Sequence, residues 1–135
     1  MDWKLILKLS LFGLAMGLAT VFVVPSSIEP LLWLVVFVVC AYIIGKRVQS
    51  KHFLHGFLLG LVNCVWVTGS HVLFFTRYLA NHPKEAAMMA NMPLAISPRL
   101  MMAVVGGPVA GVISGIVIGV LALIVGKIYK QPQAA

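Results

Sequence analysis

From Gly106 to Gly126 the chain runs for about 20 residues without a charge, long enough to cross a bilayer as a helix. Within it Gly107, Gly111, Gly115 and Gly119 recur at every fourth position. So many glycines would cost a water-exposed helix roughly 1 kcal/mol each relative to Ala. In lipid no water competes for the backbone hydrogen bonds, so the helix persists, and glycines along one face let a neighbouring backbone approach closely. The stretch therefore predicts a membrane-spanning helix packed tightly on another. Composition extends this to the whole chain, since 61% of the 135 residues are hydrophobic and only 10% charged. A soluble domain carries about a quarter charged residues. The mean hydropathy of +1.06 agrees.

The apolar runs place four transmembrane helices at about 4–24, 29–46, 53–76 and 104–127, and a single four-helix transmembrane domain over 1–135. Asp2 caps the first helix, and Lys4 and Lys8 reach toward headgroups. The run is read as a retained span, because it is long and no small-x-small cleavage site stands just before Pro25. Pro25 to Pro30 is a turn, and Pro30 suits the first turn of the next helix. Trp33 and Tyr42 sit near the ends of the second span, as an aromatic belt does. In the long connection from Arg77 to Arg99, Pro83 opens a short interfacial helix running through Met92 and Pro93 ends it. Ser97 and Pro98 restart a helix, and Gly106, Gly107 and Pro108 either kink the last span or begin it afresh.

Lys4, Lys8, Lys46, Arg47, Lys51, Lys127 and Lys130 lie at the termini and middle loop, against Arg77, Lys84 and Arg99 on the other side. The excess puts both termini in the cytoplasm, in a multi-pass membrane protein. The net charge of +7 then reflects topology and anionic lipid headgroups, and no basic run is long enough to track a nucleic acid. Cys40 and Cys64 fall at different depths and read as free thiols.

On the third span Gly56, Gly60, Asn63, Val67 and Ser70 share an arc of roughly 80°, with His71 at its edge. Asn63 and Ser70 are expected to bond to carbonyls along the glycine face of the last span, gluing the two helices. That leaves Gly13 and Gly17, or the far edge of the last helix, for contact with another copy. The competing reading makes Asn63, Thr68, His71 and Arg77 a pathway. Asp2, Glu29 and Glu85 all fall outside the spans on this reading, so His55 and His71 are the ionisable candidates within them. This separates the chain from the small four-span multidrug exporters, which it matches in size but which carry an essential Glu in the first span.

Met88, Met89 and Met92, with His82 close by, raise copper binding, since thioethers are soft ligands. Flexible apolar methionines on an interfacial helix are the simpler account, and no metal is assigned. Gly106 to Pro108 could offer a helix N-terminus to an anion beside Arg99. No nucleophile–base grouping, paired carboxylates, Cys-x-x-Cys or phosphate loop occurs, so neither an enzyme nor a cofactor is expected.

Lys51, Phe53 and Gly56 opening the third span, the Tyr78 to Met92 loop with its Pro and methionines, the glycine-rich last span and the lysine-ending tail carry a resemblance. The chain resembles a family of small four-span bacterial membrane proteins known only as a domain of unknown function. The resemblance implies the topology and carries no functional residue across. The function expected is a non-enzymatic structural or interaction role in the lipid bilayer, with copies of itself or another membrane subunit as partner. The alternative is a small oligomeric transporter or channel along the polar face of the third span.

Overall fold

In the first turn of α1 (Trp3–Phe22) the Asp2 carboxylate accepts a hydrogen bond from the Leu5 N–H at 3.0 Å. The Asp2 N–H donates to Nε2 of His55 at 3.1 Å, and Nδ1 of His55 donates to the Lys51 carbonyl at 2.8 Å. His55 is thus held as the neutral Nδ1–H tautomer, clasping the start of α1 to the start of α3 (His52–Leu73). Lys51 reverses the chain between α2 (Glu29–Arg47) and α3 with a left-handed φ of 59°.

The computed structural model describes residues 1–91 and 96–129. Among them the protein is all-α, and four helices are long and apolar enough to cross a membrane: Trp3–Phe22, Glu29–Arg47, His52–Leu73 and Pro98–Ile128. Four helices in alternating directions put Trp3 and Ile128 at one end of the bundle, the terminal side; the opposite end is the loop side. There α3 stops at Phe74 and the chain bends into two short helices, α4 (Phe75–Asn81) and α5 (Pro83–Ala90). The sequence led us to expect one short helix here. Asn81 gives α4 its place, since its Nδ2 donates to the Thr20 and Val24 carbonyls at 3.2 and 3.0 Å and so satisfies orphan groups at the end of α1. Met92 and Pro93, taken to end the interfacial helix, and Lys130 lie outside the described residues.

The last span does not begin afresh at Gly106, Gly107 and Pro108. It is helical from α6 (Pro98–Met101) through a π-helical turn (Met102–Gly106) into α7 (Gly107–Ile128). Pro108 has no N–H, and its ring would collide with the carbonyl four residues back in a regular helix. The wider turn relieves this, and the Gly107 N–H bonds five residues back to the Met102 carbonyl. Those amides are engaged inside a helix, and Arg99 Nε donates to the Val72 carbonyl at 2.8 Å, so the expected helix N-terminus for an anion is not formed.

Packing is most extensive between α3 and α7, then α1 with α3 and α2 with α7. The antiparallel α3–α7 seam runs in steps of four on both helices: Gly56 meets Gly119, Gly60 meets Gly115 and Gly111, Cys64 meets Gly111, and Thr68 meets Gly107. Asn63, Val67 and Ser70 lie on the neighbouring face and meet α1 instead, Asn63 over Gly13 and Val67 with Ser70 over Gly17. This corrects the expected docking of the Asn63–Ser70 face on the α7 glycines. It also places Gly13 and Gly17 inside the monomer. The reason is geometric, because α3 has two flanking helices and offers each its own row of residues. Ser70 Oγ donates to its own helix at the Trp66 carbonyl, 2.8 Å away, and not to α7.

On the terminal side Leu5, Ile6 and Leu9 of α1, Cys40, Ala41 and Ile44 of α2, Leu59 of α3 and Ile118 with Ala122 of α7 form one buried cluster. Gly45 lets α2 close on Val125 and Gly126, and Tyr42 and Tyr129 meet edge to face with ring centroids 5.8 Å apart. The terminal half of the bundle is sealed.

Candidate functional site: a one-sided cleft and the polar cluster at its head

On the loop side α2 and α7 part around a cleft of about 1060 Å³. One wall is α2 from Glu29 to Phe37, with Trp33 and Leu34. The other runs along α7 from Gly107 to Val117, and the back is α3 with Asn63, Cys64, Val67, Thr68 and His71. Met88 and Met89 of α5, Met101 of α6 and Met102 of the π-helical turn line its loop-side end. The size is that of a ligand site, and the walls are mostly apolar with a few polar groups, as such sites are.

Those polar groups gather at the head of the cleft. Nε2 of His71 lies 2.8 Å from Oγ1 of Thr20, whose hydroxyl donates to the Gly17 carbonyl, so the imidazole N–H donates to Thr20. The rings of His71, Tyr78 and His82 stack in sequence, with centroids 4.1 and 4.3 Å apart. His82 is fully buried. Its Nδ1 donates to the Tyr78 carbonyl at 3.0 Å, and its Nε2 meets Oε2 of Glu29 at 2.9 Å. The carbonyl can only accept, so Nδ1 carries a proton, and the second proton lies between Nε2 and the carboxylate. Oε1 of Glu29 accepts from the Trp33 indole at 3.2 Å, and Oε2 of Glu85 accepts from the Ser26 hydroxyl at 3.0 Å. Burial first, and then the charges of Glu29 and Glu85, push the Tyr78 hydroxyl up to about 12. The negative charge of both carboxylates is therefore felt at the same ring.

Glu29 corrects the placement of every acid outside the spans. It is the first residue of α2, its side chain is only 20% exposed, and it stands in the cleft wall. The short turn before it tucks under α4 and α5, which carry His82 to it. Of the pathway candidates, Asn63, Thr68 and His71 line the cleft, whereas Arg77 is exposed on α4 and stands apart from it. Asn63 is 3% exposed, and among the described residues neither its Nδ2 nor its Oδ1 has a partner. The packing set Gly107, Gly111, Gly115, Gly119, Gly56 and Gly60 is buried in the α3–α7 seam behind the cleft. Among the described residues no group of three or more His, Cys, Asp or Glu is arranged to hold a metal ion. Met88 and Met89 face the cleft, and Met92 lies outside the described residues. Both cysteines are free, and Cys64 Sγ donates to the Gly107 carbonyl at 2.8 Å.

Sequence reasoning missed Glu29, Tyr78, His82 and Thr20. A signal existed in His82 standing just before Pro83, four residues from Tyr78, where a helical turn stacks the two rings. Nothing local in the sequence points Glu29 at them. Comparison with family models, curated proteins and solved structures finds no match.

Proposed function

We propose that this protein is a membrane carrier for an amphipathic small molecule, which enters the cleft between α2 and α7 from the loop side. The observation that supports this is one-sidedness. A ligand-sized cleft with a polar head reaches Asn63, halfway along α3, while the terminal half is closed by the Leu5–Ile44–Leu59–Ile118 cluster. A site open to one side and plugged on the other is the resting geometry that a carrier needs. The residues that carry it are Asn63, Thr68 and His71 at the back and Glu29 and Tyr78 at the head. With the basic residues concentrated on the terminal side, the loop side faces outward from the bacterial inner membrane and both termini are cytoplasmic.

The scaffold reading keeps one observation in its favour, the backbone-to-backbone seam of α3 and α7, which makes the bundle rigid. The seam forms the fixed back wall of the cleft, so it serves a carrier equally well. The test is binding in lipid nanodiscs and flux in liposomes with Ala110→Trp, which fills the cleft from its α7 wall. Wild type should bind amphipathic probes and move them, and the variant should do neither. Equal binding and flux in the two proteins would refute the carrier.

A further inference from the structure

We propose that the ligand of the cleft is an organic cation with an apolar body, an assignment of substrate class that rests on the carrier reading above. The chain holds ten Lys and Arg but only three acids. Two of those three, Glu29 and Glu85, stand in the wall of the cleft, and among the described residues no Lys or Arg lines it. In a strongly basic protein this is the reverse of a random draw. The electrostatics of the head region agree, since both carboxylates act on Tyr78.

The remaining wall suits the same class. Trp33 and Phe37 line the cleft with aromatic rings, and a cation over such a ring gains about 2 kcal/mol when desolvated. Glu29 accepts two hydrogen bonds, from His82 and Trp33, which leaves a carboxylate with further acceptor capacity toward the cleft. The four methionines at the loop-side end adapt to irregular apolar shapes. At the back wall Asn63 is a lining residue, and its amide, packed over Gly13 of α1, has no hydrogen-bond partner among the described residues. An anion would find no Lys or Arg among the described lining residues and would face Glu85, while Glu29 is paired with His82. A phospholipid head is disfavoured for the same reason, because its phosphate would be buried unpaired.

Three probes of like shape separate the possibilities: tetraphenylphosphonium, triphenylphosphine oxide and tetraphenylborate, positive, neutral and negative. Each is titrated into nanodiscs holding the full chain, with empty discs subtracted. Tetraphenylphosphonium should bind at least tenfold more tightly than either of the others, about 1.4 kcal/mol. Glu85→Gln should weaken it roughly tenfold, the size of one charge acting across a partly buried site. Among the described residues Glu85 is bonded to Ser26 alone, so this variant should fold; Glu29→Gln should act in the same direction, with the melting temperature as its control. Affinity in discs of phosphatidylcholine should equal that in phosphatidylglycerol; a loss in phosphatidylcholine would assign the cation to the lipid's own choline group. If the oxide binds as tightly as the cation, or Glu85→Gln and Glu29→Gln leave affinity unchanged, the cation assignment is overturned while the carrier stands. If none of the probes binds in a way that Ala110→Trp abolishes, both fall.

Discussion

A methyl group at Gly56 would stand 2.6 Å from both the Cα and the N of Gly119 and 2.7 Å from the carbonyl carbon of Ile118. All three atoms are helix backbone, so no side-chain rotation relieves the contact. Restoring an ordinary separation of 3.4 Å moves α3 and α7 apart by about 0.8 Å. A gap of that size forfeits a quarter to a half of each dispersion contact beside it. Along the seam this comes to about 2–3 kcal/mol, the upper part of the roughly 1–3 kcal/mol usual for overpacking. Removing a glycine from a helix interior returns about 0.5–1 kcal/mol, so Gly56→Ala should destabilise by about 1–2 kcal/mol net. Gly69→Ala is the matched control on the same helix, where an added Cβ meets nothing within 4 Å and only the helix term remains. The two variants should therefore shift the melting temperature in opposite directions. Heating the purified protein in detergent with a thiol-reactive fluorogenic dye follows exposure of Cys40 and Cys64, both free in the fold. Gly56→Ala should melt several degrees below wild type and Gly69→Ala at or above it. A Gly56→Ala protein as stable as Gly69→Ala would refute the seam as the feature holding the bundle.

The Tyr78 hydroxyl has its folded pKa raised from 10 to about 12, so its contribution to stability is present below pH 10 and lost as pH rises toward 12. Over that interval the melting temperature of wild type should fall more steeply than that of Tyr78→Phe, and parallel curves would contradict the burial of this ring. His82→Ala empties a fully buried site and leaves Glu29 without its partner at 2.9 Å, which should cost about 3 kcal/mol in thermal or denaturant unfolding. His82→Gln, which keeps a donor, should recover part of it. Asn63→Leu removes a buried amide with no partner and should raise the ligand-free melting temperature, by about 1 kcal/mol of stability; a fall would mean that the amide is satisfied in the membrane.

The four crossings were legible because hydropathy and length decide them almost alone, and the cap of Asp2 and the restart at Ser97 follow from local chemistry. The seam was half legible. Gly107, Gly111, Gly115 and Gly119 announced one side of it, and its counterpart was present as Gly56, Gly60, Cys64 and Thr68, small residues at the same spacing. Polarity drew attention to Asn63 and Ser70, one row over, although a close approach selects for size. The head of the cleft was illegible for a different reason. Thr20 and Glu29 lie at the facing ends of α1 and α2, but His82 is 53 residues beyond Glu29, and only the fold of α4 and α5 over the bundle brings it to them.

The cleft itself has a cause that can be read along α2. Its terminal half presents Cys40, Ala41 and Gly45 to the bundle, and these let it close on α7 at Val125 and Gly126. Its loop half presents Trp33, Leu34 and Phe37, opposite α7 positions no larger than Ala110 and Ser114 or branched as Ile113 and Val117. Large side chains on α2 keep the axes apart at that end, and glycines draw them together at the other. The α3–α7 seam cannot yield to even out the difference, because its contacts are backbone on backbone. A rigid pair and a flanking helix with one small and one bulky half must diverge, and they diverge where Glu29 and the His71–Tyr78–His82 stack mark the opening. The glycines are therefore part of the site: they hold the wall against which the space between α2 and α7 is kept.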